Sequence, residues 1–244
     1  MCTLTWSAAR EGGYELFFNR DELNTRGAEQ PPRLEMRTGV EFAAPRDGDR
    51  GGTWLLANAH GVTVALLNDY TARWRPPVDN VVSRGSVVLA CSAVATAQAA
   101  VDLVGSMSLV NVGAFRLLVI GTDGRARRLH WAGETLAEES GEGLSFATSS
   151  SFQTEIVCAE RRRKFEDLLA GREQADREEM EAFHQTHDAL NGATSVLMRR
   201  ADARTRSVCR VSVRASLIEM HYQPVGAMSE LMNSQEVKIH FSRL

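Results

Sequence analysis

The sequence predicts an α+β protein, built as a four-layer α-β-β-α sandwich of two mainly antiparallel sheets with helices on their outer faces. Three observations lead there. Short apolar segments recur in pairs joined by turn signals, as β-hairpins do. Segments of helical spacing interrupt those pairs in blocks. Regular β-α-β alternation, which would indicate a doubly wound parallel sheet, is missing.

Taken in order, Cys2–Trp6 alternates, meets the turn signal Arg10-Glu11-Gly12-Gly13, and is followed by the apolar run Tyr14–Phe18. That pattern predicts a hairpin beginning at the first residues. Gln30–Arg50 is rich in Pro, Gly and charge and reads as a long surface loop. Thr53–Ala57 and Val62–Leu67 make a second hairpin turned by Asn58-Ala59-His60-Gly61. Ser86 is placed to cap one alanine-rich helix, Val87–Val104. Phe115–Ile120 and Arg125–Trp131 flank Thr122-Asp123-Gly124 as a third hairpin. Glu155–Leu169 and Asp176–Leu190 are helical, separated by Gly171. Ser195–Arg200 and Arg206–Val213, around Ala201-Asp202-Ala203, make a fourth hairpin, and Val237–Phe241 a last strand.

At 244 residues the chain suits a single domain spanning 1–244, long enough to bury a substantial core. A net charge of −3 argues against a nucleic-acid partner, which would call for a basic face. Neither a secretory signal nor a membrane-inserting span is visible, because the most apolar stretch carries Ser92, Thr96, Gln98 and Asp102. Cys2, Cys91, Cys158 and Cys209 lie far apart with no zinc spacing, so a reducing, cytoplasmic setting is expected, with no metal and no cofactor. Cys91, Cys158 and Cys209 read as small buried hydrophobes.

The chemistry concentrates at Cys2. Removal of Met1, permitted by the small second side chain, would put a thiol and an α-amine on one residue. With ordinary pKa values of about 8.5 and about 8, the amine can act as base for the thiol. Nucleophile and base then need no separate His. Left alone, a cysteine here reads first as a plain strand residue. Phe18-Asn19-Arg20-Asp21-Glu22 closes the second strand with an amide, a cation and two acids, suited either to a solvated turn or to surrounding the thiol. Asn68, at the end of Val62–Leu67, can donate to an oxyanion or form a turn with Asp69. Arg206 is either a clamp for an anionic ligand group or a surface arginine.

Met1-Cys2, Asn19-Arg20-Asp21-Glu22 with Arg26, Gly51-Gly52-Thr53-Trp54-Leu55, Gly61, Ala65-Leu66-Leu67-Asn68 and Thr205-Arg206-Ser207 follow one another along the chain. Together they resemble the NRDE family, also called the transport and Golgi organisation protein 2 family. That resemblance implies an N-terminal-nucleophile hydrolase fold, similar in layout to the cysteine amidases that cleave bile-salt conjugates and penicillin V. It implies Cys2 as nucleophile, Arg20 as its neighbouring cation, and Asp21 as the carboxylate orienting the new amine. Glu22 is the rival for that last role. It further implies Asn68 as oxyanion donor and Arg206 as the late arginine, with Asn19 a possible member. One departure is visible: in Phe146-Ala147-Thr148-Ser149-Ser150, Ser149 stands where the amidases carry an Asn, and a hydroxyl donates differently from an amide.

Two functional readings follow. The first is a cysteine amidohydrolase cleaving a linear C–N amide through a thioester. The second is a non-catalytic protein that binds or carries a small molecule, with haem or an acyl or lipid-related anion as ligand. Three other signals read as bland. His184 and His187, with Glu181, are ordinary helix histidines. Arg161-Arg162-Arg163-Lys164 is a solvated helix face. Arg206, Arg210 and Arg214 share one strand face and either line an anionic pocket or face solvent.

Overall fold

A computed structural model describes residues 1–9, 12–139 and 145–244. Strands β1 (Cys2–Ala8) and β2 (Tyr14–Leu23) pair antiparallel, as the first alternating pair predicts. Arg10 and Glu11 of the expected turn lie outside the described residues.

The expected surface loop 30–50 is instead a hairpin of β3 (Gln30–Arg37) and β4 (Val40–Arg46). Thr38 and Gly39, both with positive φ, turn it, and a register shift between Gln30 and Arg33 accommodates Pro31-Pro32 on the edge strand. The polar, proline-bearing edge strand is what disguised this hairpin. Strands β5 (Leu55–Asn58) and β6 (Thr63–Asn68) form the expected pair, and the Asn58 side-chain oxygen accepts from the backbone N–H groups of His60 and Val62.

The single helix expected over 87–104 is two. Helix α1 (Arg84–Ala90) starts after Ser83, and α2 (Ala97–Ser106) is capped by Thr96, whose hydroxyl accepts from Ala99 N–H. Ser86 donates to the Ser83 carbonyl and caps neither. Strands β7 (Phe115–Ile120) and β8 (Ala126–Trp131) pair as expected, joined by β9 (Leu136–Glu139), which the sequence did not reveal. After β10 (Phe146–Ser149) come α3 (Thr154–Leu169) and α4 (Arg177–His184). The fourth hairpin is corrected: Ser195–Arg200 is not a strand and meets the late strand through one bridge, Arg199 to Arg204. Strand β11 (Ala203–Val213) pairs instead with β2 and with β12 (Leu217–Pro224), followed by β13 (Val237–Ser242).

One sheet runs β10-β1-β2-β11-β12-β13 and the other β3-β4-β5-β6-β7-β8-β9. Alternation along the strands sorts the side chains into layers. Leu4, Leu16 and Phe18 meet Leu55, Leu67 and Ile120 between the sheets. Leu56, Leu66 and Val119 pack under α1 and α2, while Phe17 and Phe146 pack under α3 and α4. The expected four-layer arrangement is the one found. Among the described residues no helix is long and apolar enough to cross a membrane.

The order of the first sheet matters for the site. Strand β1 lies between β10 and β2, so the chain start is fixed on both sides. Cys2 stands directly opposite Arg20 on one neighbour and Ser149 on the other.

Candidate active site

Cys2 shares its strand face with Leu4 and Trp6, so its thiol belongs to the layer between the sheets. It borders a cavity of about 370 Å³ whose wall also includes Met1, Arg20, Glu22, Trp54 and Asn68. The thiol is pushed up to about 11, chiefly by burial. The terminal ammonium and Arg20 pull the other way, and Asp21 adds to the rise.

Met1 extends β1 by one residue. Its ammonium donates to the Asp21 carbonyl and to the Tyr70 hydroxyl, each at 3.1 Å, while Asp21 N–H donates to the Met1 carbonyl at 2.9 Å. Burial works against this ammonium, but Tyr70, Cys2 and Asp21 outweigh it and lift its pKa to about 10. Antiparallel ladders alternate, so this exchange with Asp21 turns the backbone N–H of Cys2 away from β2 and toward β10. The Met1 side chain packs with Met198, Ala203 and Tyr70.

Arg20 is opposite Cys2 and lies 4.2 Å over the Trp54 ring. Its guanidinium donates to Glu29 and Asp47, both at 2.6 Å, and lies 3.5 Å from Glu22. Arg20 is thus a cation beside the thiol held by three carboxylates.

Asp21 and Asn19 point the other way. The Asp21 carboxylate lies on the helix side of the sheet, accepting from Thr205 at 2.7 Å and from Arg161 at 3.0 Å. Only its backbone meets the chain terminus. Of the two rival acids, Glu22 is the one whose carboxylate pairs with Arg20 beside the cavity. Asn19 is fully buried, donating to the carbonyls of His184 and Val196 at 2.8 and 2.9 Å, and so ties α4 to the sheet.

Asn68 ends β6 at the cavity wall. Its amide donates to Tyr70 at 3.0 Å, and its carbonyl accepts from Arg84 at 2.9 Å. The Tyr70 oxygen therefore receives both the chain-terminal ammonium and the Asn68 amide. Asp69 holds the segment that carries Tyr70. It accepts from Thr71 N–H and hydroxyl at 2.8 and 2.6 Å and pairs with His130 at 2.7 Å. Burial opposes the Asp69 carboxylate, but these hydrogen bonds prevail and hold it down to about 2.

Ser149 is buried, and among the described residues its hydroxyl has no partner. Arg206 lies outside the cavity wall. A register irregularity between Thr205 and Ser207 displaces it, and its guanidinium approaches the Leu23 and Arg26 carbonyls at 3.4 and 3.5 Å. Arg210 and Arg214, expected to share its face, instead pair with Glu219 and Glu15 on the helix side of the sheet.

Two residues set aside in the sequence carry structural roles. Arg161 is not solvated but 1% exposed, at the centre of the buried stripe Val157, Arg161, Phe165 and Leu169. An arginine at a core position of a helical stripe was the available signal. His184 is likewise fully buried, with Asn19 and Thr5 on its two ring nitrogens at 2.7 and 2.9 Å. Tyr70 and Arg84 were missed: Tyr70 is two residues from Asn68, but only folding brings it to the Met1 ammonium and brings Arg84 to Asn68. Among the described residues no three His, Cys, Asp or Glu side chains form a cation site.

Two facing antiparallel sheets between helical layers, with the chain start on an inner strand, define an N-terminal-nucleophile hydrolase-like fold. Solved structures of that kind are similar over most of their length. A variant of conjugated bile acid hydrolase from Clostridium perfringens matches with a TM-score of 0.61 at 11% identity, covering 98% of this chain and 92% of that one. The Caenorhabditis elegans ortholog of N-acylethanolamine-hydrolyzing acid amidase matches at 0.56 and 13% identity, covering 86% and 92%. Penicillin V acylase from Agrobacterium tumefaciens matches at 0.55 and 10% identity, covering 90% and 82%. The chain belongs to the Transport and Golgi organisation 2 family, whose model matches residues 1–225. No curated protein matches the sequence significantly.

Proposed function

We propose that this protein is an N-terminal cysteine amidohydrolase, cleaving a linear C–N amide once Met1 has been removed. The observation that supports this most is the position of Cys2 on an inner strand, at a cavity whose wall also carries Asn68 and Arg20. The similar solved structures include a conjugated bile acid hydrolase, an N-acylethanolamine-hydrolyzing acid amidase and a penicillin V acylase.

In this reading, loss of Met1 moves the α-amine onto Cys2 itself. The amine takes the thiol proton, and the thiolate adds to the substrate carbonyl. Asn68, already oriented by Arg84 and Tyr70, donates to the oxyanion, and the free Ser149 hydroxyl is the second donor. Collapse breaks the C–N bond, and the Cys2 ammonium protonates the departing amine. The neutral amine then takes a proton from water, whose hydroxide attacks the thioester, releasing the acid and returning the proton to sulfur. Arg20 favours thiolate, and Arg161 and Thr205 fix the Asp21 strand end against which the terminus lies.

A second reading is favoured by one observation, the packing of Met1. It is 6% exposed, with its ammonium doubly hydrogen-bonded. Retention of Met1 would leave a small-molecule-binding protein for haem or an acyl or lipid-related anion. An acyl-amide panel tests the first reading: turnover is expected and is expected to vanish in Cys2→Ala. Turnover that survives that substitution would exclude Cys2 as nucleophile.

A further inference from the structure

The cavity wall beside Cys2 contains hydrogen-bond donors that the protein itself does not use. Trp54 is 6% exposed, yet its indole N–H has no acceptor among the described residues. Arg84, at the start of α1, is in the same wall. One of its terminal nitrogens donates to Asn68, while its Nε is buried without a partner. Two other arginines of the wall are paired: Arg20 is held by Glu29 and Asp47, and Arg26 by Asp47 and Asp49, whereas Arg84 makes no ion pair among the described residues. Arg50, also at the wall but exposed, likewise makes no ion pair among the described residues. Glu22, a carboxylate of the wall whose charge acts on Arg84, is paired with Arg20.

Holding a partly buried guanidinium without a counter-charge is costly, and the neighbouring backbone leaves room for this one. Gly113 lies against it so closely that an added Cβ would fall 2.7 Å from one terminal nitrogen and 3.0 Å from Nε. A carboxylate entering the cavity would give Arg84 the counter-charge it lacks, and its two oxygens would accept from the unpartnered Arg84 and Trp54 donors once these turn toward it. The carbonyl of Asn68, bound to Arg84, fixes the guanidinium relative to the amide that would receive the oxyanion.

We propose that Arg84, assisted by the Trp54 N–H, is the specificity residue of this cavity and binds a carboxylate carried by the substrate close to the scissile amide. The proposal rests on the amidohydrolase reading for the identity of the substrate, but its anion preference can be measured without turnover. Substrates of this class are N-acyl compounds with a free acid near the amide, while neutral amides of equal size are poor ligands.

The test is calorimetric titration of the Cys2→Ala protein with N-benzoylglycine and with its neutral carboxamide. The anion is expected to bind at least about tenfold more tightly than the amide, a difference of about 1.4 kcal/mol. Adding Arg84→Gln is expected to bring the anion down to the affinity of the carboxamide measured in the same variant. Gly113→Ala, which displaces the guanidinium but keeps its charge, is expected to reduce the preference in part. Equal affinity for the two probes, an unchanged preference in Arg84→Gln, or no binding of the anion would each overturn the proposal. Anion preference without hydrolysis by the unsubstituted protein would sink the amidohydrolase reading and leave this one standing. Hydrolysis of neutral amides without anion preference would do the reverse.

Discussion

Replacing Asp21 by Asn tests whether this acid acts through structure or through direct contact with the terminus. Its carboxylate and the Arg161 guanidinium are 0% and 1% exposed and 3.0 Å apart. Removing one partner of such a pair leaves a charge stranded away from water, which costs about 3–5 kcal/mol. Asn keeps an oxygen for the Thr205 hydroxyl, 2.7 Å away, so the lower end, about 3 kcal/mol, is expected. For a chain of this length that corresponds to a fall in Tm of about 6–12 °C. Arg161→Met should cost a similar amount, because it also strands Asp21. The double variant strands neither group, so the two losses should fall short of adding by about 2 kcal/mol. Urea unfolding of the four proteins measures this directly. A loss below about 1 kcal/mol for Asp21→Asn, or strictly additive losses, would refute the reasoning.

Three further outcomes are expected. In protein that retains Met1, the Cys2 thiol, pushed up by burial to about 11, should be alkylated by iodoacetamide about two orders of magnitude more slowly near neutrality than a free thiol, with the rate rising with pH. Mass-resolved alkylation kinetics check this. If the amidohydrolase reading holds, Asn68→Ala should lower kcat by about 10²–10³ with little change in KM, read on whichever amide is turned over. Burial, with Arg161 adding to it, holds the His184 imidazole down to about 3. The unfolded chain therefore takes up a proton near pH 6.5 that the folded chain refuses. Stability is fully present above that value and falls as pH drops toward 3, by at most about 1.4 kcal/mol per unit. His184→Gln should flatten that slope in denaturation curves between pH 6.5 and 5.

Much of the fold could be read because its strands bury one face against a partner sheet. Leu16 and Phe18 alternating with Phe17 make β2 legible, and the turns at Asn58–Gly61 and Thr122–Gly124 announce their hairpins. Edge strands were harder. Strand β3 exposes Leu34 and Met36, so it lacks the alternation that burial imposes. The break between α1 and α2 falls in Val94-Ala95-Thr96, where no Gly or Pro marks it and only the Thr96 cap gives it away. In the site, residues that share a strand with a motif were found, as with Cys2, Arg20 and Asn68. Partners supplied by distant elements were not. Arg161 approaches Asp21 from 140 positions away, and Tyr70 reaches Met1 from 69. Which face each residue of Asn19-Arg20-Asp21-Glu22 would present depended on register, and the register sent Asn19 and Asp21 to the helices and Arg20 to the cavity.

Whether Cys2 is the chain terminus is read by one measurement. Intact mass of the full-length protein, expressed in cells that carry methionine aminopeptidase, reports whether Met1 is present. A species lighter by one methionine residue is expected, with the free α-amine on Cys2. A mass that retains Met1 throughout would contradict it, leaving the buried, doubly hydrogen-bonded Met1 as the true end of β1.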